Sequence, residues 1–211
     1  MAQELPAKKT RRTTNYKNAD TKNTSGIVPK TDAQKRLIEA IGASSQVIVL
    51  GFAGTGKTYV TATMGKDIGI LPGDLGEKVA PWALPVLDVL QKHWGKGVLD
   101  TAIKNGNVEM APLAMMRGRS FENAFVIADE AQNITTAELK MLLTRIGEGS
   151  TIVLNGDVMQ SDLKGDSGLS KIAHLAKKHM LPVPIIEFGL EDIVRSDICK
   201  QWVKVFYEES L

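Results

Sequence analysis

Short apolar runs of strand length alternate with segments of helical periodicity along this chain. The runs lie at residues 47–50, 124–128, 151–154 and 185–188. Between them, apolar residues recur every three or four positions, the spacing of one face of a helix. Buried runs separated by helices are typical of parallel strands joined by helical crossovers. The pattern predicts an α/β fold with a mostly parallel sheet flanked by helices.

The first and last helical segments have recognisable starts. Thr31 and Gln34 have the spacing of a capping box, and Leu37 and Ile41 follow on one helical face. The folded part is therefore predicted to begin at Thr31. The last helix is predicted to begin at Asp197 and to bury one apolar face. That face consists of Ile198, Trp202, Val205 and Phe206.

The stretch GFAGTGKT, from Gly51 to Thr58, has the spacing G-x-x-x-x-G-K-[ST] between a predicted strand and a predicted helix. In this context the N–H groups of the loop and the helix start surround a phosphate. We expect phosphate contacts from the loop residues Gly51, Ala53, Gly54, Thr55 and Gly56. Lys57 would neutralise the β and γ phosphates, and the Thr58 hydroxyl would bind Mg²⁺. The stretch predicts binding of a nucleoside triphosphate.

Two acidic residues follow the apolar run at 124–128. Asp129 ends this predicted strand at the edge of the sheet where the P-loop lies, which is the position required of a Mg²⁺ ligand. The next residue, Glu130, is placed to polarise the water that attacks the γ-phosphate. Beside a P-loop, the pair predicts hydrolysis.

Polar residues also follow the run at 151–154. We favour Gln160 as the side chain that contacts the γ-phosphate and reports hydrolysis. Asp157 is better explained by a turn or by helix capping. Gln34 has two readings of equal weight: it belongs to the capping box, or it recognises the adenine edge, as a glutamine at this distance before a P-loop does in some nucleotide enzymes.

Charge is unevenly distributed. Residues 1–30 carry seven basic and two acidic side chains, a net charge of +5 in a chain whose total is +2. Few large apolar residues occur there, so residues 1–30 are predicted to be a disordered basic tail and 31–211 a single domain. Such a tail either binds nucleic acid through phosphates or merely aids solubility. One cysteine, no secretory apolar segment and no run of membrane-spanning length predict a cytoplasmic protein without a membrane partner.

An ordered set of motifs resembles the PhoH family of P-loop ATPases. The set is GFAGTGKT, LPGDLGEK, EMAPLAMMRGRSF, VIADEAQN, LLTRIGEGS, GDVMQSDL, SGL and DIVRS, across roughly residues 31–209. The resemblance implies a RecA-like P-loop NTPase domain that hydrolyses ATP with Mg²⁺. By position it implies that Lys57 binds phosphate, that Asp129 and Glu130 serve the ion and the water, and that Gln160 senses the γ-phosphate. It also implies a nucleic-acid partner, RNA or single-stranded DNA, and assembly into a homo-oligomer such as a ring. If the gene is carried by a phage, the cytoplasm is that of the host.

The chain departs from the family pattern after the P-loop helix. The family has there more helix and a strand, but this chain has no strand-length β-branched run between Ala62 and Pro72. We expect the missing strand to leave a gap beside the P-loop strand or to be replaced by residues 108–110. The chain also lacks a second RecA-like half. An arginine is therefore expected from another subunit, with Arg195 favoured and Arg145 second.

Two functions remain open at this point. The first is a helicase-like ATPase whose turnover is coupled to RNA or single-stranded DNA. The alternative is a nucleotide-binding interaction module with weak or no hydrolysis. Glu130 and Gln160 favour the first, and the shortened crossover favours the second.

Overall fold

The computed structural model describes residues 26–66, 80–157 and 167–209. Four strands in this part form one sheet: Gln46–Gly51 (β1), Phe125–Ala128 (β2), Thr151–Gly156 (β3) and Ile185–Phe188 (β4). Their order is β2-β3-β1-β4, and every pair is parallel. Helices lie on both faces, which confirms the predicted α/β class with a parallel sheet.

The helices among the described residues follow the order expected for crossovers between parallel strands. They are α1 (Asp32–Ala43), α2 (Lys57–Gly65), α3 (Ala80–Trp94), α4 (Lys96–Lys104), α5 (Thr136–Leu143), α6 (Gly168–Lys178) and α7 (Asp197–Glu208). Helix α1 begins at the predicted cap, since Thr31 Oγ1 accepts from the Gln34 N–H at 3.3 Å. Helix α5 begins at a full capping box formed by Thr135 and Glu138.

Alternate residues of the strands enter two separate cores. On one face, Val47 and Val49 pack with Leu37 of α1, Val60 of α2 and Phe125. On the other face, Ile48, Ile152 and Leu154 pack with α5 and α6. Burial of both faces explains why the strands are continuously apolar rather than alternating. It also fixes the carboxyl ends of the strands at one edge, where loops carry function.

The expected gap beside the P-loop strand is absent from the described sheet. β1 pairs with β3 on one side and β4 on the other, so no gap lies directly beside it. Residues 108–110 do not replace a strand either, because no strand covers them. They line an apolar cavity of about 610 Å³ that runs along β2, whose only strand partner in the described sheet is β3. The described sheet is therefore complete on both sides of the P-loop strand.

The folded part begins earlier in the chain than Thr31. Ile27, which fell within the predicted tail, is buried in the core cluster of α1. The packed chain thus extends to before Thr31, because Ile27 packs in the same apolar cluster as Leu37 and Ile41. The described residues otherwise include none of positions 1–25.

Helix α7 does not bury its apolar face. No residue of α7 is buried, and Ile198, Trp202, Val205 and Phe206 are all exposed. The predicted core face was wrong, because amphipathic spacing locates an apolar stripe without saying that the same chain covers it. Within the described residues, no helix combines the length and the apolar character needed to cross a bilayer.

Candidate nucleotide site

The loop from Gly51 to Gly56 joins the end of β1 to the start of α2. Gly51 has φ +145°, and a Cβ there would collide with the carbonyl of Phe188 on β4. Gly56, at the N-cap of α2, has φ +86°, a left-handed conformation that glycine adopts without steric cost. The two glycines therefore let the backbone turn tightly from the sheet into a helix N-terminus, as phosphate binding requires.

Lys57 is folded back against this loop. Its Nζ donates to the carbonyl oxygens of Gly51 and Phe52, both at 2.7 Å. Burial lowers the pKa of the Lys57 ammonium. Nearby carboxylates oppose that lowering, in the order Asp157, Asp129 and Glu130. The cation thus lies at the centre of an acidic cluster.

Thr58 and Asp129 are brought together as the sequence predicts. Thr58 Oγ1 lies 3.1 Å and 3.0 Å from the two carboxylate oxygens of Asp129. Asn155, fully buried on β3, donates from Nδ2 to Asp129 Oδ1 at 3.3 Å. Burial raises the pKa of Asp129, and the Thr58 and Asn155 hydrogen bonds act against the rise. These bonds fix the direction of the carboxylate.

This pair is chemically suited to Mg²⁺. Hydroxyl and carboxylate oxygens are hard ligands, and Mg²⁺ in nucleotide sites commonly takes one or two protein oxygens together with phosphate oxygens and water. Among the described residues there is no group of three or more potential metal-binding side chains of the His, Cys, Asp and Glu types. Two ligands from the protein, completed by a nucleotide, fit the residues present.

Glu130 follows Asp129 in a left-handed conformation with φ +50°. Its side chain is exposed, and its Oε2 accepts from Gln132 Nε2 at 2.6 Å. Gln132 is buried, and its Oε1 accepts from the backbone N–H of Asp157 at 3.0 Å. A non-glycine residue at positive φ is uncommon, and such strain often occurs at functional sites. The turn directs the Glu130 carboxylate into the cleft.

Gln34 is buried against the P-loop. It is only 4% exposed, its Nε2 donates to the Thr55 carbonyl at 2.9 Å, and its Oε1 accepts from the Lys30 N–H at 2.8 Å. The side chain therefore links the segment before α1 to the P-loop. Neither reading of the sequence anticipated this contact, because it joins residues 21 positions apart.

The two favoured arginines occupy different environments. Arg195 lies against its own P-loop: a Cβ at Gly54 would lie 2.7 Å from Arg195 Cγ, and the Val194 N–H donates to the Gly54 carbonyl at 3.0 Å. Arg195 thus lines the cleft of its own chain, whereas the sequence led us to expect an arginine from another subunit. Arg145 donates to the carbonyls of Met116 and Met141, at 2.9 Å and 2.7 Å. Arg145 therefore has a structural role in joining a loop to α5.

A cleft of about 500 Å³ brings most of these groups together. Its lining includes the predicted Ala53, Gly54, Gly56, Lys57, Thr58, Asp129, Glu130 and Arg195. Gln160 lies outside the described residues, as does the LPGDLGEK segment. Among the residues that contact these groups, Gln132 and Asn155 had no assigned role. Asp157 had been assigned to a turn or a helix cap, but its Oδ2 accepts from the Ala53 N–H of the P-loop at 3.2 Å. The signal for Asn155 and Asp157 was their place at the tip of β3, next to β1.

Comparisons with known proteins agree with this arrangement. The family model described as "PhoH-like protein" matches residues 60–207. Protein PhoH of Escherichia coli K12 is 38% identical over 89% of this chain and 60% of its own length. PhoH-like proteins of Bacillus subtilis and Synechocystis are 36% and 37% identical, over 92% and 86% of this chain and 69% and 62% of their own lengths. This chain thus spans about three fifths of the Escherichia coli protein.

Proposed function

We propose, from the premise that this chain belongs to the PhoH family of P-loop proteins, that it hydrolyses ATP with Mg²⁺. The observation that carries the proposal is the convergence of Lys57, Asp129 and Glu130 on one cleft. Binding alone would need the phosphate loop and the lysine. An additional carboxylate held at the mouth of the cleft is what hydrolysis needs.

Each side chain has a distinct part in this proposal. Lys57 exchanges its bonds to the Gly51 and Phe52 carbonyls for bonds to the β and γ phosphates, which gives it stronger, charge-assisted partners. Glu130 accepts the proton of the attacking water. Arg195, in the cleft of its own chain, neutralises charge that develops on the γ-phosphate. Gln160 remains our proposed γ-phosphate sensor.

Thr58 and Asp129 are the proposed ligands of Mg²⁺. When bound, the ion would neutralise phosphate charge, and its other ligands would be phosphate oxygens and water. Asn155 and Thr61 support this arrangement from beneath, since Thr61 Oγ1 lies 3.2 Å from Asn155 Oδ1. The chain's contribution is to hold the Asp129 carboxylate in a fixed direction before nucleotide arrives.

Phosphate release from Mg-ATP by the wild type and by Glu130→Gln tests the proposal. We expect turnover in the wild type and a loss of about 10²-fold or more in the variant, the usual scale for a general base, with ATP affinity retained. Lys57→Ala should lose binding as well. A wild type that binds ATP without turnover would instead support the alternative, a nucleotide-binding interaction module.

We also propose that ATP turnover is coupled to RNA or single-stranded DNA. This coupling is supported by the resemblance to the PhoH family, which implies a nucleic-acid partner, and by the net positive charge of residues 1–30. Turnover should rise when single-stranded RNA or DNA is added at low salt, and the stimulation should weaken with increasing salt. We also propose a homo-oligomer and a cytoplasmic location for the working protein.

A further inference from the structure

Asp157 is the acidic residue of the cleft for which the proposed hydrolysis has no role. It lies just beyond β3, is only 5% exposed, and its Oδ2 accepts from the Ala53 N–H at 3.2 Å. Ala53 belongs to the loop whose N–H groups are expected to bind phosphate. A carboxylate oxygen therefore engages a donor that an incoming phosphate would use.

The charges of the cleft make this contact unfavourable once nucleotide binds. Lys57 lines the cleft together with three carboxylates, and these act against the lowering of its pKa, Asp157 first among them. A triphosphate adds several negative charges to the same partly buried space. Like charges at close range in such an environment repel strongly. A Mg²⁺ ion held by Asp129 would offset this repulsion there, whereas Asp157 is bonded to the phosphate loop itself.

The backbone of Asp157 is joined to Glu130. Its N–H donates to Gln132 Oε1 at 3.0 Å, and Gln132 Nε2 donates to Glu130 Oε2 at 2.6 Å. The backbone of Gln132 is also held, because Ser167 Oγ donates to its main-chain carbonyl oxygen at 3.0 Å. Because the Gln132 side chain is buried and bonded to both groups, a movement of the Asp157 backbone would also move the Glu130 carboxylate.

We infer that Asp157 is a displaceable latch on the P-loop. Its carboxylate binds an N–H group that phosphate would otherwise use, and when nucleotide displaces it, the position of the Glu130 carboxylate changes through Gln132. Gln132 is then a positioning residue for Glu130. The first half of the inference concerns binding alone. The second half rests on the proposed hydrolysis, so the two are tested separately.

Affinity for ADP, measured by calorimetry in EDTA and again with Mg²⁺, tests the latch. Asp157→Asn removes the charge and keeps the side-chain shape, so we expect ADP to bind roughly fivefold more tightly under both conditions. Asp100→Asn, which removes an exposed carboxylate from α4, is the matched control and should change nothing. Unchanged or weaker binding by a folded Asp157→Asn overturns the latch, as does weakening with Mg²⁺ alone, which would mark Asp157 as a support for the ion.

Two further measurements guard against a variant that does not fold. Asp157→Ala should show the same tightening. In the wild type, the association rate of a fluorescent ADP analogue should level off at high concentration, because the latch opens first. A rate that rises linearly throughout, in the absence of a folded variant with tighter binding, overturns the inference.

The link to Glu130 is tested with Gln132→Leu. We expect kcat to fall about tenfold or more while ADP affinity stays within twofold, since the Glu130 carboxylate loses its partner but the bond between the Asp157 carboxylate and the Ala53 N–H does not involve Gln132. A fall in affinity with kcat unchanged would contradict the positioning role. If the wild type has no turnover, the proposed hydrolysis fails, yet the ADP measurements on Asp157 still decide the latch.

Discussion

Some side chains in this protein make contacts that cannot be inferred from the residues next to them in the sequence. Gln34 is placed by a helix cap but acts on the P-loop, where its amide joins the Thr55 carbonyl to the Lys30 N–H. Both partners are backbone groups, and leaving a buried backbone group without a partner costs about 1–3 kcal/mol. The P-loop conformation therefore depends on a residue far outside the motif.

Gln34→Leu distinguishes this role from adenine recognition. We expect affinities for ATP and GTP to fall together, by roughly fivefold or more, because the distorted loop serves any nucleotide. Thr31→Ala is the control, since it removes the cap and leaves the amide contacts, and it should cost about 1 kcal/mol of stability without changing affinity. A selective loss of ATP binding, with GTP binding intact, would show that Gln34 recognises the base.

At the scale of elements, helix α2 joins the site to the sheet through a close approach. Gly65 ends α2 directly over Phe125, the first residue of β2, and a Cβ at Gly65 would lie 2.6 Å from Phe125 Cδ1. Phe125 is fully buried, so it has no room to move away. The absence of a side chain lets the helix lie flat on the strand that carries Asp129 and Glu130 at its other end.

Gly65→Ala should therefore destabilise the protein although alanine favours helix. The helical gain is about 1 kcal/mol at most, whereas overpacking a core costs about 1–3 kcal/mol. Gly42→Ala in α1 is the matched control, because nothing lies within 4 Å of its Cβ position, and it should stabilise slightly. Urea unfolding midpoints give both values. Equal gains in the two variants would show that α2 shifts to accommodate the methyl group.

At the scale of the whole molecule, α7 presents an apolar surface beside the nucleotide site. Trp202 stacks on Phe206 with ring centroids 5.4 Å apart, and Tyr207 packs edge to face against Phe52 of the P-loop. Trp202 is nevertheless 56% exposed. Clustered exposed aromatic residues mark interaction sites. This surface is our candidate for the interface of the proposed homo-oligomer, and it adjoins Arg195.

Trp202→Glu tests that assignment. Light scattering across a range of concentrations should show assembly by the wild type and a dissociation constant raised about tenfold or more in the variant, because a charge replaces an aromatic contact. Gln201→Glu adds the same charge one position away and should assemble normally. The melting temperature of a monomeric Trp202→Glu protein should match that of the monomeric wild type. A lower value would mean that Trp202 packs within its own chain.

Much of this protein is determined by local sequence. The P-loop, the parallel strands and the acidic pair after β2 were all predicted from short stretches, because phosphate binding, strand burial and helix capping each depend on neighbouring residues. The position of Asp129 beside Thr58 followed as well. It needed only the rule that parallel strands end at the same edge of a sheet.

Tertiary structure alone decided the contacts between distant positions. Asp157 reaches Ala53 across 104 positions, and Gln132 meets the Asp157 N–H across 25. Strand order likewise placed β3 and β4, rather than a gap, on the two sides of β1. The exposure of α7 was likewise settled by what surrounds it. In each case the outcome depends on which residue lies opposite in the folded protein. The sequence pattern shows which face of a helix or strand a residue occupies, but it does not show what packs against that face.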